Sequence, residues 1–210
     1  MRLLIVGPQG AGKGTQAQLL AESLGIPHVS TGDLFRANLA GGTELGALVK
    51  KYLDAGELVP DEVTQEMVAD RVAQPDAQPG FLLDGFPRNI QQADWLAQLL
   101  AGRNTPIQVV VLLTAPDDVL LERMLARGRA DDTVEAIHRR LDIYHRETTP
   151  LIGYYDGRVV HVDGVGSVED VHERVVAKVR EALAAQQLAP TGDSRVLASQ
   201  DAGDPGVETA

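Results

Sequence analysis

Cysteine is absent from this 210-residue chain, which removes disulfides and thiolate-bound metal from consideration and fits a reducing compartment such as the cytoplasm. Long apolar runs are missing too. None approaches the roughly 20 residues that a membrane-spanning helix needs. The four apolar residues at 3–6 are too few for the core of a secretion signal. Positive charge is in deficit, with 19 Lys and Arg against 30 Asp and Glu, for a net charge of −11. Such a chain is a poor partner for nucleic-acid polymers and anionic membranes. A small anionic ligand is still admissible if arginines converge locally. The five histidines (28, 138, 145, 161 and 172) form no ligand cluster, and no Asn-Lys-x-Asp guanine reader is present. No internal repeat is visible.

What is present is concentrated at the start. The apolar run 3–6 leads into Gly7-Pro8-Gln9-Gly10-Ala11-Gly12-Lys13-Gly14-Thr15, and a helical pattern follows. A strand, a glycine-rich loop and a helix in that order build a phosphate cradle. Glycines let backbone N–H groups converge on an anion, the helix points its positive end at the same spot, and the lysine adds a full charge. The general motif G-x-x-x-x-G-K-[S/T] is met at Gly7, Gly12 and Lys13. Gly14 stands where Ser or Thr usually meets magnesium, and Thr15 comes one place later. That displacement leaves Mg2+ to be held largely through water, with Thr15 an open possibility.

Further apolar runs at 27–29, 81–83, 109–113 and 159–162 read as continuous rather than alternating, as strands buried on both faces do. Helical patterns lie between them at 13–24, 89–101, 117–126, 133–147 and 167–186, with Asp117 and Ser167 as expected N-caps and Pro150 closing the fourth. The alternation predicts an α/β fold with a parallel sheet of about five strands. Residues 31–73 depart from it. They carry short helical pieces and no strand, broken at Gly41-Gly42, Gly56 and Pro60, and read as a helical lobe inserted between two strands. Residues 127–132 form a brief charged loop between two helices. From 188 onward Ala, Pro, Gly, Ser, Thr and Asp dominate, which predicts a disordered tail over 188–210. Asp84, at the end of the run 81–83, is placed to hold magnesium, usually through water. Asn89 reads as the N-cap of the helix that begins at Ile90. Trp95 and the Tyr154-Tyr155 pair read as packing residues.

Several stretches together resemble one family. They are GPQGAGKGT at 7–15, STGDLFR at 30–36, LLDGFPR at 82–88, RMLARGR at 123–129, RRLDIYHRETTPLIGYY at 139–155 and HVDG at 161–164. These are similar to the adenylate kinases of the nucleoside monophosphate kinase family, over about residues 1–186. The resemblance implies a P-loop three-layer fold, reversible phosphoryl transfer from MgATP to AMP, and a monomer binding ATP, AMP and ADP. It implies a kinase domain over 1–187, with a monophosphate-binding lobe at about 30–59 and a lid at about 126–132. That lid is short and has no cysteine, so zinc is not expected there.

By the same resemblance, Gly10, Ala11, Gly12, Lys13, Gly14 and Thr15 hold the ATP phosphates, with Arg127 and, through its backbone, Gly166. Thr31, Arg36, Glu57, Leu58, Val59, Gly85, Phe86, Pro87, Arg88 and Gln92 form the AMP side. Arg123, Arg127, Arg129 and Arg140 surround the transferring group, with Arg129 and Arg140 also reaching AMP. Arg139 is left out as a solvated helix face.

The chemistry suits arginine. Two nucleotides bring about six or seven negative charges together, and the accepting phosphate oxygen is already anionic near neutral pH, so no general base is needed. Gln92 offers one donor and one acceptor to the N6 and N1 edge of adenine. With Thr31 it favours adenine, whereas Asn89 also occurs in pyrimidine kinases. A pyrimidine (UMP/CMP) kinase and a non-catalytic nucleotide sensor are the alternative readings. A lid that closes only over bound substrate excludes water. Arg127 and Arg129 would fold over the phosphates, with Gly128 absorbing the dihedral change. Asp131 and Asp132 either set that closed pose or cap the helix beginning near Thr133.

Overall fold

Five parallel strands lie at the centre of the computed structural model, which describes residues 1–55, 57–102, 105–129 and 132–188. They are β1 (Arg2–Val6), β2 (His28–Ser30), β3 (Phe81–Asp84), β4 (Val109–Thr114) and β5 (Val159–Asp163), in the spatial order β2-β3-β1-β4-β5. The helices are α1 (Lys13–Leu24), α2 (Thr31–Ala40), α3 (Glu44–Ala55), α4 (Asp61–Ala73), α5 (Ile90–Ala101), α6 (Asp117–Arg127), α7 (Val134–Ile143), α8 (Leu151–Tyr154) and α9 (Val168–Leu188).

The inner strands are apolar along their centres because β1, β3 and β4 supply both layers of core, while Arg2, His28, Ser30, Asp84, Thr114, His161 and Asp163 are the polar strand positions. Leu3 and Ile5 of β1, Leu82 of β3, and Val109, Val111 and Leu113 of β4 pack with α1, α6, α7 and α9 on one face. Leu4, Val6, Phe81, Leu83, Val110 and Leu112 pack with α4, α5 and α8 on the other. Register pairs Leu3 with Leu82, Leu4 with Leu83, and Ile5 with both Asp84 and Val111. Burying each such side chain fully is worth about 1.5–3 kcal/mol. A smaller third cluster of Phe35, Val49 and Val59 holds α2, α3 and the segment before α4 together.

The order of strands positions the site. After β1 the chain turns through α1 toward β2, and after β3 it crosses through α5 to β4. The two connections leave adjacent strands in opposite directions, which opens a crevice at their C-terminal ends.

Some local expectations shift. β2 begins one residue later than its apolar run. Pro116, with φ −59°, takes the cap position before α6, so Asp117 is the first helical residue and not the cap. There its charge faces the positive end of the helix dipole. Ser167 does cap α9, its Oγ accepting from the Asp170 N–H at 3.1 Å. The helix expected over 133–147 ends at Ile143 and continues as a wide turn, Tyr144–Thr148. The Gly56 break and the tail beyond Leu188 lie outside the described residues. Among the described residues no helix is long and apolar enough to cross a membrane.

Candidate active site

The loop after β1 is shaped by close backbone approach. Gly7 has φ +149°, and a Cβ there would sit 2.1 Å from the Leu113 carbonyl oxygen. At Gly10, with φ +86°, it would sit 2.7 Å from the Leu120 oxygen. Only glycine fits either place. The loop ends at α1, whose start differs from its neighbours. Ser30 caps α2, Asn89 caps α5 and Thr133 caps α7, each through a side-chain oxygen. α1 begins after Gly12 with no side-chain cap and no acidic residue in its first turn. Its leading N–H groups are therefore available to an external anion.

Lys13 folds back over the loop, its Nζ donating to the Pro8 carbonyl at 2.8 Å. Burial pushes its ammonium down from 10.5 to about 8. Asp84 opposes that shift, and Arg88 and Arg127 add to it. Arg123 braces the loop from α6, donating to the Gly164 carbonyl at 3.0 Å and to that of Gly10 at 3.5 Å. Gly166 lies just beyond, next to Arg174, which donates to the Asp163 and Val165 carbonyls.

The second half of the site grows from the end of β3. Asp84 is buried, and Thr31 Oγ1 donates to its carbonyl at 3.4 Å. Arg88 Nε donates to the Gly85 carbonyl at 2.7 Å, and Thr148 Oγ1 donates to the Arg88 carbonyl at 2.8 Å. Burial lowers the Arg88 guanidinium from its ordinary value; Asp84 offsets that, while Arg140 and Arg36 add to it. Arg36 pairs with Asp33 one turn earlier on α2. Gln92 is 2% exposed: its Oε1 accepts from the Arg88 N–H, and its Nε2 donates to Asp61, both at 2.7 Å.

A cavity of about 320 Å³ joins the two halves, within the usual size of small-molecule sites. Lys13 lines it together with Thr31, Arg36, Glu57, Leu58, Val59, Gly85, Pro87, Arg88, Gln92, Arg129 and Arg140. Phe86 lies beneath, its ring in the core and edge-on to Trp95 at 5.8 Å.

Asp132 gathers the charged loop. It takes two hydrogen bonds from Arg127, at 3.0 and 2.8 Å, one from Arg140 at 3.0 Å and one from the Arg129 N–H at 3.3 Å. Burial alone would raise its carboxyl, but the Arg127 hydrogen bond and charge, the Arg129 amide and Arg140 hold it below the ordinary range. Thr133 Oγ1 takes the cap role by accepting from the Ala136 N–H, so Asp132 does not cap α7. Asp131 lies outside the described residues. Gly128, with φ +65°, ends α6.

Arg140 also donates to the Leu53 carbonyl at 3.1 Å, and Arg139 donates to that of Ala55 at 3.2 Å. These grip the C-terminal end of α3, so Arg139 is a bridge to the helical lobe and not merely a solvated side chain.

The donor set near Gly14 suits magnesium. A Cβ on Gly14 would lie 3.7 Å from Asp84 Oδ2, so one carboxylate stands beside the phosphate loop with no hydroxyl at position 14. One carboxylate plus substrate phosphates suits an ion that keeps most of its waters. Thr15 is exposed on the first turn of α1.

Sequence reasoning missed Asp61, and it missed His28, whose Nε2 is 3.4 Å from Asp84 Oδ2. Both are remote in sequence from the groups they touch. A polar residue opening α4 and the first residue of β2 carry no local signal of that proximity.

The family model described as adenylate kinase matches residues 5–160. A relative named adenylate kinase from Nocardia farcinica is 54% identical over 176 residues, covering 84% of this chain and 97% of its own. One from Corynebacterium urealyticum is 56% identical over 173 residues, covering 82% and 96%. Another, from Mycobacteroides abscessus, is 53% identical over 174 residues, covering 83% and 96%.

Proposed function

Because the chain belongs to the adenylate kinase family, it is an enzyme that moves the terminal phosphoryl group of ATP reversibly onto AMP, giving two ADP, and we propose how its residues divide that work. The pyrimidine-kinase and sensor readings are not favoured. Members of the family use MgATP.

The backbone of Gly10, Ala11, Gly12, Gly14 and Thr15, with Lys13, holds the β- and γ-phosphates of ATP. Arg127 covers them, and the Gly166 backbone meets the adenine of ATP. Arg36 and Arg88 grip the phosphate of AMP. Glu57, Leu58, Val59, Thr31, Gly85, Pro87 and Gln92 enclose its nucleoside, with Phe86 supporting this wall from the core. Arg123, Arg127, Arg129 and Arg140 neutralise the charge that spreads over the transferring oxygens. Asp84 would hold magnesium through water, and the ion would supply positive charge beside the phosphates.

This reading requires arginines to change partners. Arg36, Arg88, Arg127 and Arg140 rest on Asp33, the Gly85 carbonyl, Asp132 and the Leu53 carbonyl. Phosphate oxygens are stronger acceptors than carbonyls, and two nucleotides bring more negative charge than Asp33 and Asp132 supply. The lobe at about 30–59 and the lid at about 126–132 move together over the substrates and exclude water.

The observation that carries the assignment is the cavity that Lys13 shares with Arg36, Arg88 and Gln92. Its test is ADP formation by the purified chain with MgATP and AMP, for the wild type and for Arg88→Ala. The variant is expected to lose at least about 10²-fold in turnover while keeping its thermal midpoint. Near-normal turnover in the folded variant contradicts the role given to Arg88.

A further inference from the structure

A glutamine amide reads a purine in either of two ways. With one orientation it donates to N1 and accepts from a 6-amino group, as in adenine. Turned over, it accepts from N1–H and donates to a 6-oxo group, as in hypoxanthine and guanine. Selectivity between the two classes therefore requires something that stops the amide from turning.

At Gln92 both ends are held. The Arg88 backbone N–H, which can only donate, meets Oε1 at 2.7 Å. The Asp61 carboxylate, an acceptor, meets Nε2 at 2.7 Å. Turning the amide would set oxygen against carboxylate and NH2 against N–H, in a side chain only 2% exposed. Asp61 is fixed in turn. Asn89 Nδ2 donates to its two oxygens at 3.3 and 3.1 Å, while Asn89 Oδ1 caps α5 by accepting from the Gln92 N–H at 2.8 Å. Asn89 cannot turn without losing that cap. Among the described residues Gln92 thus uses one N–H and one lone pair on protein. One N–H and one lone pair remain for a base in the cavity it lines.

We propose that Asp61 is a specificity-determining positioning residue, which locks the Gln92 amide in the orientation that accepts 6-aminopurine monophosphates and rejects 6-oxopurine ones. It does so without touching the base. The proposal rests on the reading that Gln92 faces the base of AMP.

The test is kcat/KM for AMP and for IMP at fixed MgATP, in the full chain and in Asp61→Asn. The asparagine amide offers a donor as well as an acceptor, so the Asp61 end no longer opposes a turned Gln92 and only the Arg88 N–H still does. The AMP-to-IMP ratio is expected to fall by at least about tenfold, through KM for both nucleotides more than through kcat. Asp61→Ser carries the same test if Asp61→Asn does not fold by circular dichroism.

A ratio within twofold of wild type in a folded variant overturns the proposal, as does an equal loss for both nucleotides. Gln92→Ala separates the causes. If it collapses the ratio while the Asp61 variants do not, the lock alone is wrong. If it leaves the ratio intact, Gln92 does not read the base, and the underlying reading fails with it.

Discussion

Lys13 shows most directly what single residues do in this site. Its ammonium titrates at about 8, against 10.5 in the unfolded chain, because burial outweighs the help of Asp84. The sign follows from which state holds the proton. Below about pH 8 both states are charged, and the cost of burying the charge is full. Between about 8 and 10.5 the unfolded chain binds more protons than the folded one, so this residue's contribution to stability rises with pH. The proposed placement of ATP phosphate beside Nζ would reverse the shift. Binding of MgATP at pH 8 is therefore expected to take up about half a proton, falling toward none at pH 6.5, where Lys13 is already charged. Calorimetry in two buffers of different ionisation enthalpy measures this, and no uptake at pH 8 contradicts the placement of Lys13 against phosphate.

The residue scale also shows where sequence is and is not legible. Lys13, Arg36 and Arg88 stand inside short local motifs and Gln92 one helical turn past the last of them, and the structure brings them to one cavity. Asp61 reaches Gln92 across 31 positions and Arg139 reaches Ala55 across 84, so only packing reveals them.

At the level of elements, the strands were readable because the centre of a strand covered on both faces is apolar, as in Leu82 and Leu83 of β3. Helix starts were readable where a side chain supplies the cap, as at Asn89 and Ser167, and misread at Asp117, where a proline takes the cap position. The wide turn at Tyr144–Thr148 leaves no trace in the apolar pattern, because it continues the helical path. The phosphate loop is an element whose path is fixed by contact. Gly7→Ala places a Cβ 2.1 Å from a β4 carbonyl at φ +149°, a position neither strand can vacate. The expected cost is about 3 kcal/mol or more, a fall in thermal midpoint of about 6 °C or more. A midpoint within about 2 °C of wild type means that β1 and β4 are not packed as described.

Over the whole molecule, the sheet sets two connections diverging from β1 and β3, and the crevice between them collects cationic side chains from α2, α6, α7 and the loop before α5. The protein's net charge of −11 does not oppose this, because the arginines are local and are held by carbonyls and by Asp33 and Asp132. α7 ties the ensemble together, since Arg140 touches both the charged loop and the end of α3.

The crystal structure of the full chain with magnesium and two ADP tests this account most directly. The account predicts both nucleotides end to end in the one cleft, with the guanidinium groups of Arg36, Arg88, Arg123, Arg127, Arg129 and Arg140 within about 3 Å of phosphate oxygens. Two bound nucleotides with those groups still on Asp33, Asp132 and the Gly85, Gly164 and Leu53 carbonyls would contradict it.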